Sequence, residues 1–354
     1  MWIGQGKSTM GGNYIFVIQM ENTFGSIFLR NFKLKKGFRS QMKAVIEAKK
    51  LTRKFGNSVA VDNVQFGVYQ GEIFGFLGPN GAGKTTTVRM LTGVIDPTAG
   101  TATIQGHDIR KEPLLSKAHI AVVPEEANVY LDLSVWQNVI LMAKLHGVSR
   151  HQYLKEAECL LNALGLADRK KLKARTLSKG LRQRLMLCAA LVTGPEVLFL
   201  DEPTSGLDVQ SARLIRQTVK DLNRGGLTVF LTTHNMSEAG EMCSRVTIID
   251  KGCIVAIDSP EKLRSAISSR QYLEVCFADA APEHDELSSL PGVSHIDLDN
   301  RTFRLYTKFP GQVVTEVVRL VDRKGLEITD LRTRKPSLED VFIDFTSGHK
   351  EKGV

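Results

Sequence analysis

Apolar and polar residues alternate over Met42-Lys-Ala-Val-Ile-Glu-Ala-Lys-Lys-Leu51, a period of two that predicts a first β-strand. Farther on, Ile73-Phe-Gly-Phe-Leu77, Val197-Leu-Phe-Leu200, Thr228-Val-Phe-Leu-Thr232 and Val246-Thr-Ile-Ile249 are short apolar or β-branched runs bounded by Gly, Pro, Asn or Asp. Runs without alternation read as strands covered on both faces, the habit of a sheet packed between other layers. Between the first two lies a block, about 127–194, that is mostly helical, with stretches Val135 to His146, Gln152 to Leu164 and Gly180 to Val192. It reads as a helical insertion in an α/β domain spanning 42–262.

A different pattern begins after Pro260-Glu-Lys-Leu-Arg264, a helical transition. Tyr272-Leu-Glu-Val-Cys-Phe277 alternates, and a helix (His284 to Leu290), two strands (Ser294 to Asp297, Phe303 to Thr307), a long helix (Gly311 to Arg323) and a strand (Leu326 to Thr333) follow. This β-α-β-β-α-β order over 270–345 predicts a small α+β, ferredoxin-like domain, with 346–354 as a tail. Residues 1–41 lack periodicity and cap signals, and Gly at 4, 6, 11, 12, 25 and 37 interrupts any helix. They are expected to form a poorly ordered extension, with Met42 as the native start. Mass spectrometry finding residues upstream of Met42 in the native protein would contradict that.

Composition changes this picture little. Apolar residues at 42% and charged residues at 24% match a chain that buries a core. The formal charge of +9 is concentrated at the start, where residues 1–41 hold six basic side chains against Glu21 alone. The remainder is nearly neutral for its size, so no nucleic-acid partner is expected. The five cysteines include no Cys-x-x-Cys pair, which argues against a zinc site or a disulfide framework. No apolar run approaches the roughly 18 residues that span a bilayer. Tyr14-Ile-Phe-Val-Ile-Gln-Met20 is short and lacks the basic lead of a signal peptide, so a cytoplasmic chain is expected.

Two segments carry chemistry. Gly78-Pro79-Asn80-Gly81-Ala82-Gly83-Lys84-Thr85 fits G-x-x-x-x-G-K-[ST] and sits between a buried strand and a helix from Thr86 to Leu91, the context the motif requires. Its glycines let the backbone wrap a phosphate, the N–H groups and helix N-terminus supply positive charge, Lys84 neutralises the β and γ phosphates, and the Thr85 hydroxyl suits Mg²⁺. The second is Val197-Leu-Phe-Leu-Asp201-Glu202, which sets two acids at the end of a buried strand, where ligands of α/β sheets gather. Asp201 suits Mg²⁺ and Glu202 suits polarising a water, because phosphoryl transfer needs an oriented nucleophile and charge neutralisation. Taken alone, such a pair also serves as a helix cap or a solvated loop.

Further segments add a resemblance. Leu177-Ser-Lys-Gly-Leu-Arg-Gln-Arg-Leu185, Asp201-Glu-Pro-Thr-Ser-Gly-Leu-Asp208 and His234 after Leu231-Thr-Thr resemble the signature, the Walker B motif with D-loop, and the switch histidine of ATP-binding-cassette (ABC) ATPases. Order and spacing fit over about residues 44–260. The resemblance implies a P-loop NTPase fold binding ATP and Mg²⁺. It further implies Lys84, Glu202 and His234 as catalytic and Thr86 in the phosphate cradle. Phe55, in Arg53-Lys-Phe-Gly56, would stack on adenine, the alternative being packing in a core or turn. Ser178 and Gly180 would meet the ATP of a second subunit, expected to be another copy of this chain, with Asp208 at the interface of a head-to-tail dimer.

Two departures stand out. Lys179 and Leu181 replace the usual Gly and Gln of the signature, and Glu125 after Ile120-Ala-Val-Val-Pro124 stands where the family usually offers a Gln to Mg²⁺. An anionic oxygen still suits a hard cation, so Glu125 is kept as a metal candidate beside Thr85 and Asp201. Leu133-Ser-Val-Trp136 resembles the part of transporter ATPases that docks on a membrane partner, although a helix stripe is more often core. Arg334-Lys-Pro-Ser-Leu-Glu-Asp-Val-Phe342 resembles the ending of drug, antibiotic or polysaccharide exporters of the ABC-2 type. The resemblance implies an exporter ATPase peripheral to the inner face of the cell membrane, powering a separate permease. The alternative is a non-transport ABC ATPase acting on DNA or ribosomes, which usually carries two cassettes or long coiled coils; here there is one cassette and no heptad run.

Overall fold

The computed structural model describes residues 43–267, 271–278, 280–299 and 302–347. The expected extension 1–41 and the end of the tail lie outside them. β1 (Ala44–Phe55) and β2 (Ser58–Tyr69) form a hairpin, and β3 (Ile73–Leu77) leads through the glycine loop into α1 (Lys84–Leu91). Then come β4 (Ala99–Ile104), β5 (His107–Asp108), α2 (Pro113–Ala118) and β6 (Ile120–Val123). The helical block holds α3 (Val135–Leu145), α4 (Arg150–Ala163) and α5 (Lys179–Leu191). β7 (Val197–Asp201), α6 (Val209–Arg224), β8 (Thr228–Thr233), α7 (Met236–Met242), β9 (Arg245–Asp250), β10 (Cys253–Asp258) and α8 (Pro260–Ala266) complete the larger domain.

The runs expected to be buried strands make a six-stranded sheet of order β10-β9-β3-β8-β7-β6. All neighbours are parallel except β10, which turns back along β9. Every residue of β3, β7 and β8 is buried, as their unbroken apolar pattern requires. Parallel strands end on one edge, so the loops after β3, β6, β7 and β8 converge, and they bring the glycine loop, Glu125, Glu202, Asp208 and His234 toward that edge, with Asp201 at the end of β7.

The first strand belongs elsewhere. β1 joins a separate antiparallel sheet of order β2-β1-β4-β5, with register shifts along the β1–β2 pair. Its apolar face is welded to the parallel sheet by rings: Phe66 of β2 stacks on Phe74 at 5.7 Å, and Phe230 lies 5.2–5.8 Å from Phe74, Phe76 and Phe199. In the helical block Ser134 and Gln137 form a reciprocal capping box at the start of α3, whose buried stripe is Val135, Asn138, Val139 and Ala143.

The C-terminal part follows the expected order: β11 (Tyr272–Phe277), α9 (His284–Ser288), β12 (Val293–Asp299), β13 (Thr302–Thr307), α10 (Pro310–Lys324) and β14 (Ile328–Arg334). Its sheet order β12-β13-β11-β14 is antiparallel throughout, and it carries its own core around Leu273, Val275, Phe303, Leu305, Val313 and Val317. A last helix, α11 (Leu338–Ser347), packs on α7, α8 and β10 of the larger domain.

Candidate functional site

The glycine loop fits its surroundings through missing side chains. A Cβ on Gly78 would stand 2.3 Å from the Ile249 carbonyl oxygen, and one on Gly83, whose φ is +106°, would stand 2.7 Å from that of Ala60. The loop is thereby wedged between β9 and the β1–β2 hairpin. Gly83 caps α1 without a side-chain hydrogen bond, so the first N–H groups of that helix keep their affinity for an anion. Gly78, Ala82, Gly83 and Lys84 are buried, whereas Pro79, Asn80 and Gly81 form an exposed rim; Thr85 and Thr86 are half-buried.

Four further groups meet there. Lys84 is buried and folded back on its own loop, donating to the carbonyls of Gly78 (2.9 Å) and Pro79 (3.2 Å). Its Nζ lies 3.3 Å from Glu202 Oε1, an ion-pair distance whose alignment still leaves that buried oxygen without a hydrogen bond. The other Glu202 oxygen lies 2.9 Å from Nδ1 of the exposed His234. Asp201 Oδ1 accepts from the Thr232 hydroxyl at 2.5 Å and from the Thr85 hydroxyl at 3.4 Å. Glu202 adopts φ +48°, and its N–H donates to both the carbonyl and the hydroxyl of Thr232, each at 3.1 Å. A non-glycine residue held in the left-handed region by such bonds stores backbone strain, which clusters at functional sites.

The remaining candidates are held in other ways. Phe55 is 48% exposed at the hairpin tip, outside the core, with the Arg53 guanidinium 4.5 Å from its ring centroid. Ser178 caps α5 by accepting from Leu181 N. Gly180 packs against the start of α6, where a Cβ would meet Ser211 Oγ at 2.5 Å and Asp208 Oδ2 at 3.2 Å. Asp208 caps α6, and hydrogen bonds from the hydroxyl and N–H of Ser211 hold its carboxyl below the usual range. Among the described residues no hydrogen bond or ion pair joins Ser178 or Gly180 to the glycine loop; their contacts are with Leu181 and with the start of α6. Glu125 is exposed and accepts from the Ser205 hydroxyl at 3.4 Å. No group of three or more His, Cys, Asp or Glu among the described residues could by itself hold a metal ion.

Sequence reasoning missed Glu238 and α11. Glu238 is buried in α7 and accepts from the hydroxyls of Thr204 (2.9 Å) and Thr233 (3.3 Å), tying the loop after Glu202 to the strand before His234. Burial pushes its carboxyl above the ordinary range, and the charge of Glu202 acts in the same direction. An acid four residues beyond the histidine was the available signal. On α11, Glu339, Phe342 and Ile343 share with Gly78, Pro79, Asn80, His234 and Met236 the lining of a cavity of about 390 Å³. Trp136 is half-buried and lines a second cavity, of about 510 Å³, with Ser134, Gln137, Lys170 and Lys171.

Two family models match this chain in separate segments. A family model described as ABC transporter matches residues 61–205, and one described as the C-terminal domain of DrrA1-3-like ATP-binding proteins matches residues 259–346. The linearmycin resistance ATP-binding protein LnrL of Bacillus subtilis is 32% identical, covering 85% of this chain and 98% of its own length. The daunorubicin resistance ATP-binding protein DrrA3 of Streptomyces coeruleorubidus is 34% identical (83% and 93%), and the Nod factor export ATP-binding protein I of Paraburkholderia xenovorans 35% (86% and 97%). Among solved structures, an ATP-binding subunit of an ABC transporter aligns with a TM-score of 0.60 at 26% identity, over 63% of this chain and 93% of that one. The chain belongs to the ATP-binding proteins of ABC transporters, in the branch that carries a DrrA-like C-terminal domain.

Proposed function

We propose that this chain is the ATP-hydrolysing subunit of an ABC-2 type exporter, acting on the inner face of the cell membrane as a head-to-tail pair with a second copy of itself. Family membership already implies nucleotide binding and a membrane permease as partner. The named relatives act in antibiotic resistance and Nod factor export, which favours export here. Among the described residues no helix is long and apolar enough to cross a membrane, so the permease reading calls for another chain.

The observation that carries the proposal is the state of Glu202. One oxygen rests on His234, the other is buried with no hydrogen bond, and Lys84 stands beside it. A carboxylate so placed orients the attacking water, while Lys84 leaves its own carbonyls to meet phosphate oxygens. The uncapped start of α1 takes the phosphates, and the exposed ring of Phe55 takes the adenine face. The Thr85 hydroxyl and Asp201 carboxylate, in contact with each other, suit Mg²⁺, which when bound neutralises charge on the transferred phosphoryl group. The half-site at Ser178 and Gly180 is read as serving the nucleotide of the partner copy, since among the described residues no hydrogen bond or ion pair ties it to the glycine loop of its own chain. Trp136 and its cavity offer the permease a groove on the helical block.

The test is fractionation of native membranes solubilised in mild detergent, with the full chain tagged. ATP turnover co-purifying with a polytopic membrane protein supports the exporter. Turnover found only with ribosomes or nucleoid would contradict it.

A further inference from the structure

Two of the three residues that depart from the family pattern, Glu125 and Lys179, lie on different elements and converge on one residue. Lys179 Nζ donates to the Ser205 carbonyl at 3.0 Å, and the Ser205 hydroxyl donates to Glu125 Oε1 at 3.4 Å. Gly206, at φ +64°, lies beneath the ammonium, where a Cβ would approach Nζ to 2.6 Å. The Ser205 N–H in turn donates to the Glu202 carbonyl at 3.1 Å, closing the turn that carries Glu202 out of β7. One path of short contacts therefore runs from a cation on α5 and an anion on the loop after β6, through Ser205, to the strained backbone of Glu202.

Two facts indicate that this arrangement is specific. A cation in the first turn of a helix faces the positive end of the dipole, so Lys179 sits where helix electrostatics disfavour it, and among the described residues its hydrogen-bond partner is the Ser205 carbonyl. One turn along the same face, Gln183 Nε2 donates to the Pro124 carbonyl at 3.2 Å, so α5 holds both loops with side chains four residues apart.

We propose that Glu125 and Lys179 are a matched pair of positioning residues, opposite charges flanking Ser205 that set the Glu202 turn for hydrolysis. Each charge is tolerated because the other is present. The inference rests on Glu202 being the residue that orients the water.

The experiment is a double-mutant cycle on the full chain with Glu125→Gln, Lys179→Gly and both together, plus Lys179→Arg. Turnover, KM for ATP, half-saturation by Mg²⁺ and thermal midpoint are measured for each. Either single change should lower kcat about threefold to fivefold with KM within about twofold, a cost of about 0.6–1 kcal/mol for each change taken alone. The double variant should return to within about twofold of the original, and Lys179→Arg should retain activity. The coupling should shrink at high salt. Additive losses would overturn the pairing, as would an effect of Glu125→Gln confined to the Mg²⁺ dependence. If Glu202→Gln keeps full turnover, the underlying reading of Glu202 fails, whatever the cycle gives.

Discussion

Adding a single methyl group at Gly180 tests whether the signature helix and the start of α6 are as tightly joined as the geometry indicates. In Gly180→Ala the new Cβ would stand 2.5 Å from Ser211 Oγ, 3.0 Å from Ser211 Cβ and 3.2 Å from Asp208 Oδ2. The hydroxyl cannot simply swing away, because it donates to Asp208 Oδ2 at 2.6 Å and accepts from Arg184 Nη2 at 2.8 Å. Overpacking at such a site costs about 1–3 kcal/mol. Against it stands the helical preference of Ala over Gly, up to about 1 kcal/mol. The net expectation is a loss of about 1–2 kcal/mol in urea unfolding followed by circular dichroism at 222 nm. Ser211→Ala removes the nearest atom, so in that background the penalty at Gly180 should fall by about half or more. An unchanged or raised midpoint for Gly180→Ala would refute the close contact.

Two further outcomes follow from the same reasoning. Phe230 is fully buried among Phe66, Phe74, Phe76 and Phe199, so Phe230→Ala should cost about 3–5 kcal/mol by urea unfolding; a loss under about 1 kcal/mol would mean that the ring cluster does not join the two sheets. The folded-state pKa of Glu238 is raised by burial, so its ionised form destabilises the fold above that pKa, and the penalty is relieved as pH falls toward the unfolded value. Glu238→Gln should therefore look more favourable relative to the original protein at pH 8 than at pH 5, and equal differences at both would show that Glu238 titrates as if unfolded.

The sequence made some features legible because they are local. β3, β7 and β8 are buried on both faces, and that alone writes an unbroken apolar run. The glycine loop and the acids of Asp201-Glu202 are contiguous, so their meeting at one sheet edge follows from parallel strands. What stayed hidden depends on partners far along the chain. β1 alternates as expected, but nothing in it says that it leaves the parallel sheet to pair with β2 and β4. Gly78 needs to be glycine because of Ile249, a neighbour set by β3–β9 pairing. Glu125 and Lys179 could be named as departures, yet their common contact, Ser205, exists only because α5 lies across both loops. The return of α11 to α7, α8 and β10 is likewise a tertiary event, since its sequence resembled a family ending without indicating where that ending docks.

The central claim is that Glu202 orients the water in an ATP site completed by a second copy. Size-exclusion chromatography with light scattering, run on Glu202→Gln with ATP and Mg²⁺ alongside a turnover assay, tests it most directly. The account expects ATP-dependent dimers, with turnover reduced by about 10²-fold or more. A variant that stays monomeric with ATP while turning over at the original rate would contradict it.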